Sequence, residues 1–147
     1  MPNVQSTYGA TLPVGFPGRV STSEPSHVIS RAVEGSAIAF GRVVIKGTNG
    51  ELQCKDGSTG TAYMGIALVN IAAKPANVDA YAIGDIAAIM IKGSVWVTVA
   101  ANVAYGDSAY FTAAGDITNV STSNTAIPNG KFASAASSGG LAELLLT

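Results

Sequence analysis

The chain carries the same turn phrase twice, as Tyr81–Ala87 (YAIGDIA) and again as Val103–Ala109 (VAYGDSA). Each copy places a Gly-Asp pair, Gly84-Asp85 or Gly106-Asp107, directly before a run of apolar or alternating residues. Glycine supplies the positive φ that a tight turn needs, and aspartate can hydrogen-bond the nearby backbone. Short runs separated by such turns are typical of an all-β domain. The repeated turn therefore predicts an all-β fold, and it contains no cluster of reactive side chains.

Other turn dipeptides divide the rest of the chain in the same way. Asn49-Gly50 is the strongest hairpin dipeptide in the sequence. Lys92-Gly93 and Gly115-Asp116 are expected to close two further hairpins, and Leu141–Leu146 is expected to be the last strand. Helical spacing is nearly absent, so we predict a single antiparallel β-sandwich or barrel, with a jelly-roll arrangement favoured. The expected core residues are Phe40, Met64, Trp96, Tyr110 and Phe132.

The first 34 residues differ from the remainder of the chain. They hold four of the six prolines and scattered apolar residues without a period, which disfavours regular structure there. We predict an extended N-terminal arm over residues 1–34 and a β domain over residues 35–147. Because disordered tails are usually poor in apolar residues, the arm either pairs with its own domain or becomes ordered on another subunit. The contact residues expected in the arm are Tyr8, Leu12, Pro13, Val14, Phe16 and Arg19.

The charge content of the chain limits the partners that it can have. Charged residues make up 12% of the sequence, about half of the roughly 25% that is usual for soluble domains. The net charge is −1 and the basic residues are dispersed, which argues against nucleic-acid binding. A weakly ionic surface of small residues is commonly buried by partner proteins, so we expect the protein to work inside an assembly.

No targeting or membrane segment is evident in the sequence. No stretch reaches the roughly 18 unbroken apolar residues of a membrane span, and the N-terminus lacks the charged and apolar regions of a secretory signal. Cys54 is the only cysteine, which excludes an internal disulfide and fits synthesis in a reducing cytosol. We therefore expect no membrane partner.

Side chains that could carry chemistry have simpler structural interpretations. His27 is the only histidine and has no partners at metal-site spacing. Asp85, Asp107 and Asp116 each follow a glycine, so a turn explains them better than a catalytic pair does. Trp96 could form a sugar-binding platform, although its place within an alternating strand favours core or interface. We predict no catalytic residue, no metal site and no cofactor.

Several short motifs occur in one order along most of the chain. They are Ser6–Gly9, Pro13–Gly18, Ser30–Gly35, Phe40-Gly41, Gly65–Ala67, Tyr81–Asp85, Lys92–Val97 and Ile127–Asn129. Together they resemble the structural cement, or decoration, proteins of tailed-bacteriophage capsids. The resemblance implies a non-enzymatic β-rich protein on the outer capsid surface of the virion, made in the host cytoplasm. It also implies a small oligomer, a homodimer or a homotrimer, that clamps adjacent subunits of the major capsid protein.

Two other classes of function remain open at this point. A carbohydrate- or receptor-binding β module on a virion tail or fibre would need exposed aromatic side chains, and Trp96 is the obvious candidate. A small glycan hydrolase would need two carboxylates brought together by the fold, such as Asp85 and Asp107.

Overall fold

The computed structural model describes residues 15–71 and 78–147, which are built mainly from β-strands and include a turn of 3₁₀-helix at Gly57–Thr59. The strands are β1 His27–Val33, β2 Ile38–Ala39, β3 Val43–Lys46, β4 Gln53–Asp56, β5 Tyr63–Ala67, β6 Ala80–Tyr81, β7 Ile86–Thr98, β8 Ser108–Phe111, β9 Ile117–Thr118, β10 Thr125–Phe132 and β11 Leu141–Leu146. The predicted all-β class is confirmed.

Five of these strands close into a small barrel in the order β1-β4-β3-β5-β7, because β1 pairs with both β4 and β7. The β1–β4 pair is parallel, with Val33 opposite Cys54, and the β1–β7 pair is antiparallel, with Ile29 opposite Ile89. A two-stranded ribbon of β2 and β6 adds Tyr81 to the same core. The barrel interior is filled by Val33, Val44, Cys54, Ala67, Ala87 and Ile89.

Strand β7 runs without interruption from the barrel into a second sheet. Its first half pairs with β1 and β5, and its second half pairs with β11, where Val95 lies opposite Leu144. The hairpin expected at Lys92-Gly93 is therefore wrong. Gly93 has a φ of +127°, and a Cβ there would lie 2.9 Å from the Cβ of Ser26. Gly93 therefore does not lie in a turn. It lies where β7 passes from the barrel to the second sheet and packs closely against Ser26.

The second sheet continues from β7 in the order β11-β10-β8-β9. A single bridge between Val99 and Ile117 brings β9 back against the chain that follows β7. The predicted Gly115-Asp116 hairpin is present as the β8–β9 pair. Nine of the eleven strands in the described residues therefore form one continuous order with a closed barrel at one end, while β2 and β6 pair separately. This order differs from the jelly-roll arrangement that we favoured.

Strand β3 shows how the two sheets share a core. Side chains alternate across a strand, so Val44 lies in the barrel interior while Val43 and Ile45 pack into the second hydrophobic cluster. The residues of the second sheet in that cluster include Val95, Val97, Phe111, Phe132, Leu144 and Leu146. One face of β7, β8 and β11 is therefore covered by the outside of the barrel.

The expected core residues divide into two groups. Phe40 and Phe132 are buried, whereas Met64, Trp96 and Tyr110 are only half-buried. Strand β11 has the predicted bounds, and its residues alternate between buried and half-exposed. The face of β11 that carries Leu141, Glu143 and Leu145 points away from the core and is only partly covered.

Candidate interaction surface

The described end of the predicted arm lies along the second half of β7. The backbone N–H of Gly18 donates to the carbonyl of Trp96 at 2.8 Å, and the N–H of Trp96 donates to the carbonyl of Arg19 at 2.9 Å. The N–H of Ser21 donates to the carbonyl of Ser94 at 3.0 Å. Residues 18–21 therefore pair with their own domain, which is the first of the two alternatives raised by the sequence.

The boundary predicted at residue 34 does not coincide with a boundary in the structure. Strand β1, which lies within the predicted arm, is a member of the barrel and is hydrogen-bonded on both sides. Because a barrel strand cannot leave without opening the ring, residues 27–33 belong to the β domain. The part of the prediction over residues 1–14 lies outside the described residues.

Trp96 is covered by the chain that precedes this paired segment. A Cβ on Gly15 would lie 2.7 Å from Cδ1 of the Trp96 ring, so only glycine allows the backbone to approach so closely. The ring is half-buried as a result. A sugar platform needs an open aromatic face, and Gly15 lies against this one. Nothing in the local sequence links these two residues, so sequence reasoning missed the contact.

Two of the predicted contact residues lie among the described residues. Phe16 is 43% exposed, and the guanidinium carbon of Arg19, which is also exposed, lies 5.7 Å from the centroid of its ring. This separation is within the range of a cation–π interaction. The other predicted contacts, Tyr8, Leu12, Pro13 and Val14, lie outside the described residues.

Phe16 lies at the edge of a cleft with a volume of about 850 Å³. The cleft lies between the barrel and the second sheet, and the segment that follows β5 contributes Val69 and Ile71 to its wall. The apolar side chains that line it include Phe16, Phe40, Val69, Ile71, Val99 and Ile117. Concave, mostly apolar surfaces of this size are the usual sites for a ligand or for a side chain of a partner. The cleft and Phe16 are therefore the candidate interaction surface.

Two of the charged side chains that line the cleft, Arg42 and Asp116, contact each other, and Arg42 also contacts Asp56. Nε of Arg42 lies 3.1 Å from Oδ1 of Asp56, and Nη1 lies 3.0 Å from Oδ1 of Asp116. Nη2 also donates to the carbonyl of Ala114. Oδ2 of Asp56 accepts from the backbone N–H of Ser58 at 3.1 Å and from its hydroxyl at 2.5 Å. Arg42 thus ties the barrel to the β8–β9 turn.

The two Gly-Asp turns have nearly the same geometry. Gly84 has a φ of +90° and Gly106 a φ of +87°. Oδ2 of Asp85 accepts from the N–H of Ala82 at 2.8 Å, and Oδ2 of Asp107 accepts from the N–H of Ala104 at 2.9 Å. Both carboxylates are therefore held by their own turns, which gives no support to a catalytic pair.

Asn49-Gly50 does not form the two-residue turn that the dipeptide favours. Strands β3 and β4 are joined by residues 47–52, and Gly50 is not among the glycines with positive φ. The N–H groups of Leu52 and Gln53 both donate to the carbonyl of Asn49. The loop is therefore closed by two hydrogen bonds to the Asn49 carbonyl. It does not contain the type I′ turn that an Asn-Gly pair favours.

We expect the turn at Asp107 to make stability depend on pH. The backbone N–H of Ala104, and then the amide of Asn119, lower the pKa of Asp107 from its ordinary value of 3.8. A lowered folded-state pKa gives stabilisation that is present above pH 3.8 and is lost as the pH falls through the lower value. The difference in thermal midpoint between wild type and Asp107→Ala should therefore shrink between pH 6 and pH 3. A difference that stays constant over this range would contradict the assignment.

The described residues offer little reactive chemistry. Residues 15–71 and 78–147 contain no cluster of three or more His, Cys, Asp or Glu side chains that could hold a metal ion. Cys54 is buried, and desolvation raises the pKa of its thiol to about 11, which suppresses the reactive thiolate. His27 is exposed at the start of β1. Among these residues, no helix has the length and apolarity that a membrane crossing requires.

Two solved structures of phage proteins were compared with the fold of this chain. A chain from the capsid of Myoviridae phage XM1 has a similar fold, with a TM-score of 0.78 and 20% identity over 100% of this chain and 98% of that chain. The base of the head fiber gp8.5 of bacteriophage phi29 is less similar, with a TM-score of 0.47 and 14% identity over 84% of this chain and 95% of that chain.

A search of curated proteins gave no match. The model of one protein family, described as structural cement protein (E217 gp24/Pam3 gp6), matches residues 4–147. Because the match spans nearly the whole sequence, including the barrel and the second sheet, the chain belongs to the phage structural cement protein family.

Proposed function

We propose that this protein is a non-enzymatic structural component of a tailed-phage head, which binds the outer capsid surface and clamps adjacent major capsid subunits. The family match over residues 4–147 carries the proposal. The likeness to a capsid chain of phage XM1 supports it at the level of the fold.

Properties of the surface also fit this role. A clamp needs a rigid body, and the closed barrel gives β1 hydrogen-bonded neighbours on both sides. The low content of charged residues, 12% of the sequence, reduces the desolvation cost of a broad contact. The cleft beside Phe16 offers an apolar recess for side chains of a capsid subunit. These features support adhesion better than they support catalysis.

The arm and the oligomeric state complete the proposal. The predicted contacts Tyr8, Leu12, Pro13, Val14, Phe16 and Arg19 would reach a neighbouring capsid subunit. An extended segment can gain backbone hydrogen bonds by adding to the edge of a partner's sheet. A homodimer or homotrimer would place several such contacts side by side, so that modest single contacts give strong attachment. The proposal includes no contact with nucleic acid or membrane.

The direct test compares phage heads with and without this protein. Heads that lack it should release their DNA at a temperature several degrees lower than complete heads, because fewer contacts then hold neighbouring subunits together. Adding back the purified protein should restore the original temperature. The measurement is the midpoint of DNA release in a dye-exclusion thermal scan. Equal midpoints for the two kinds of heads would contradict a stabilising role.

A further inference from the structure

One residue from each of four short motifs meets at a single point of the fold. The motifs are Pro13–Gly18, Phe40-Gly41, Gly65–Ala67 and Lys92–Val97. Gly18 is in contact with the other three residues, which are Gly41 between β2 and β3, Ala67 at the end of β5, and Trp96 in the second half of β7. We call these four residues the junction. It joins the described end of the arm to the barrel and to the second sheet.

On the barrel side of the junction, two glycines lie against each other. A Cβ on Gly18 would lie 2.9 Å from the backbone nitrogen of Gly41, and a Cβ on Gly41 would lie 2.7 Å from the Cβ of Pro17. The N–H of Gly41 donates to the carbonyl of Ala67 at 2.8 Å. The N–H of Val69 donates to the carbonyl of Gly18, also at 2.8 Å. A side chain on either glycine would therefore displace hydrogen-bonded backbone.

The same segment is also held by the second sheet. The N–H of Gly18 donates to the carbonyl of Trp96, and a Cβ on Gly15 would lie 2.7 Å from Cδ1 of the Trp96 ring. Between these two contacts the chain turns, because the N–H of Arg19 donates to the carbonyl of Phe16 at 3.2 Å. A proline followed by a glycine with positive φ at the middle positions is typical of a type II turn. The turn therefore lies between the two sheets and contacts both.

This geometry fixes the backbone on both sides of Phe16. Gly15, directly before it, lies on the second sheet, and Pro17, directly after it, lies against Gly41 of the barrel. Phe16 and Pro17 both line the cleft. The ring of Phe16 is nevertheless 43% exposed, so an ordered backbone carries an aromatic side chain that the fold does not bury. Such a side chain loses little conformational entropy when a partner covers it.

We propose that Gly15, Gly18 and Gly41 are positioning residues, which hold Phe16 at the cleft in the orientation that contacts a major capsid subunit. This inference rests on the proposed clamp function, in which Phe16 is a contact residue. Because these three positions carry no side chain, the backbone on each side of Phe16 can lie directly against the two sheets. A larger residue at any of them would move Phe16 without removing an atom of the contact itself.

Gly41→Ala and Gly84→Ala are a matched pair of variants for the test. Both glycines have a positive φ, +78° and +90°, so alanine is strained at either position. A Cβ on Gly41 meets Pro17, whereas a Cβ on Gly84 has open space around it. Gly41→Ala should weaken binding of the purified protein to heads that lack it by about tenfold, as loss of an aromatic anchor does. Gly84→Ala should bind as wild type does, although the thermal midpoint should fall in both variants.

Gly15→Ala tests the same placement in a variant whose strands are untouched. Residue 15 precedes β1, and the pairings among β1 to β11 are made by residues 27–147. The added Cβ would push the chain away from Trp96, which is the only tryptophan in the sequence. Acrylamide should therefore quench the Trp96 fluorescence of the free variant more strongly than that of wild type. Binding to the heads should fall together with this change, while the thermal midpoint stays close to that of wild type.

A double-mutant cycle with Phe16→Ala separates positioning from a general loss of stability. If the glycines act through Phe16, then Gly15→Ala or Gly41→Ala should weaken binding little further once residue 16 is alanine. A merely structural role predicts instead that the two fold-losses multiply. If Gly41→Ala shows no cooperative unfolding, then Gly15→Ala and its cycle decide the result.

The outcomes separate this inference from the proposed function. If wild-type protein does not bind the heads, the clamp function itself fails. If wild type binds and Phe16→Ala binds equally well, the clamp function stands and the inference is overturned. Equal losses for Gly41→Ala and Gly84→Ala would indicate a general effect of backbone strain and would overturn it too. Unchanged quenching and binding for Gly15→Ala, or losses that multiply in the cycle, would have the same consequence.

Discussion

Deletion of residues 1–34 is expected to abolish cooperative unfolding, because it removes β1 from a closed ring of five strands. The backbone groups of β4 and β7 that face β1 would lose their partners, and unpaired buried groups are costly. Loss of the buried Val33 removes a further amount of about 1.5–3 kcal/mol of apolar burial, and loss of the half-buried Ile29 adds a smaller amount. A whole domain is stable by only about 5–15 kcal/mol. Urea unfolding monitored by circular dichroism should show no sigmoidal transition.

A chain that begins at residue 15 is the control for this deletion. All pairings among β1 to β11 are made by residues 27–147, so this shorter deletion should keep a cooperative transition. If the chain of residues 35–147 unfolds cooperatively at the wild-type midpoint, then β1 is dispensable, and the arm would extend to residue 34 as the sequence suggested.

Short sequence patterns predicted those elements of the fold whose residues are close together in the sequence. Strand β11 has the predicted bounds Leu141–Leu146, since a mostly apolar run with a single charged residue, Glu143, can be recognised within a few residues. The β8–β9 hairpin follows from Gly115-Asp116, because the turn and both strands lie within eleven residues of sequence, 108–118. These features depend on turn chemistry and on a period of two, which a short window of sequence contains.

Features that depend on distant pairings could not be predicted in this way. Strand β1 carries Arg31 among apolar residues in a proline-rich region, so its pattern is not that of a barrel strand. Strand β1 belongs to the barrel because it pairs with β4 and β7, which lie later in the chain. Lys92-Gly93 has the composition of a turn, yet separate partners on each side keep β7 extended through it.

Only part of the candidate interaction surface could be predicted from the sequence. Phe16 and Arg19 were expected as contacts because they lie in an apolar, proline-rich segment. The cleft beside them could not be expected, because its wall combines Phe40, Val69 and Ile117 from three separate parts of the chain. Clefts of this kind arise from packing between sheets, which a sequence pattern does not contain.

Arg42→Met is expected to lower the free energy of unfolding by about 2–3 kcal/mol, because it leaves the carboxylate of Asp56 without its cation. Asp56 is only 6% exposed, and removing one partner of a fully buried ion pair typically costs about 3–5 kcal/mol. The Arg42 side chain is 30% exposed, so solvent screening reduces the expected cost. In a chain of this length the change corresponds to a fall of about 5–10 °C in the thermal midpoint.

Asp116→Asn is the matched control, because it removes the other carboxylate that Arg42 contacts. The Asp116 side chain is 49% exposed, and exposed pairs contribute at most about 1 kcal/mol. Arg42→Met combined with Asp56→Ala should cost less than the sum of the two single changes, since each alone leaves one charge unpaired. Calorimetry of the four proteins of this cycle measures the coupling directly. Strict additivity, or an equal loss for Asp116→Asn and Arg42→Met, would mean that the stabilising effect of Arg42 does not come from its pairing with Asp56.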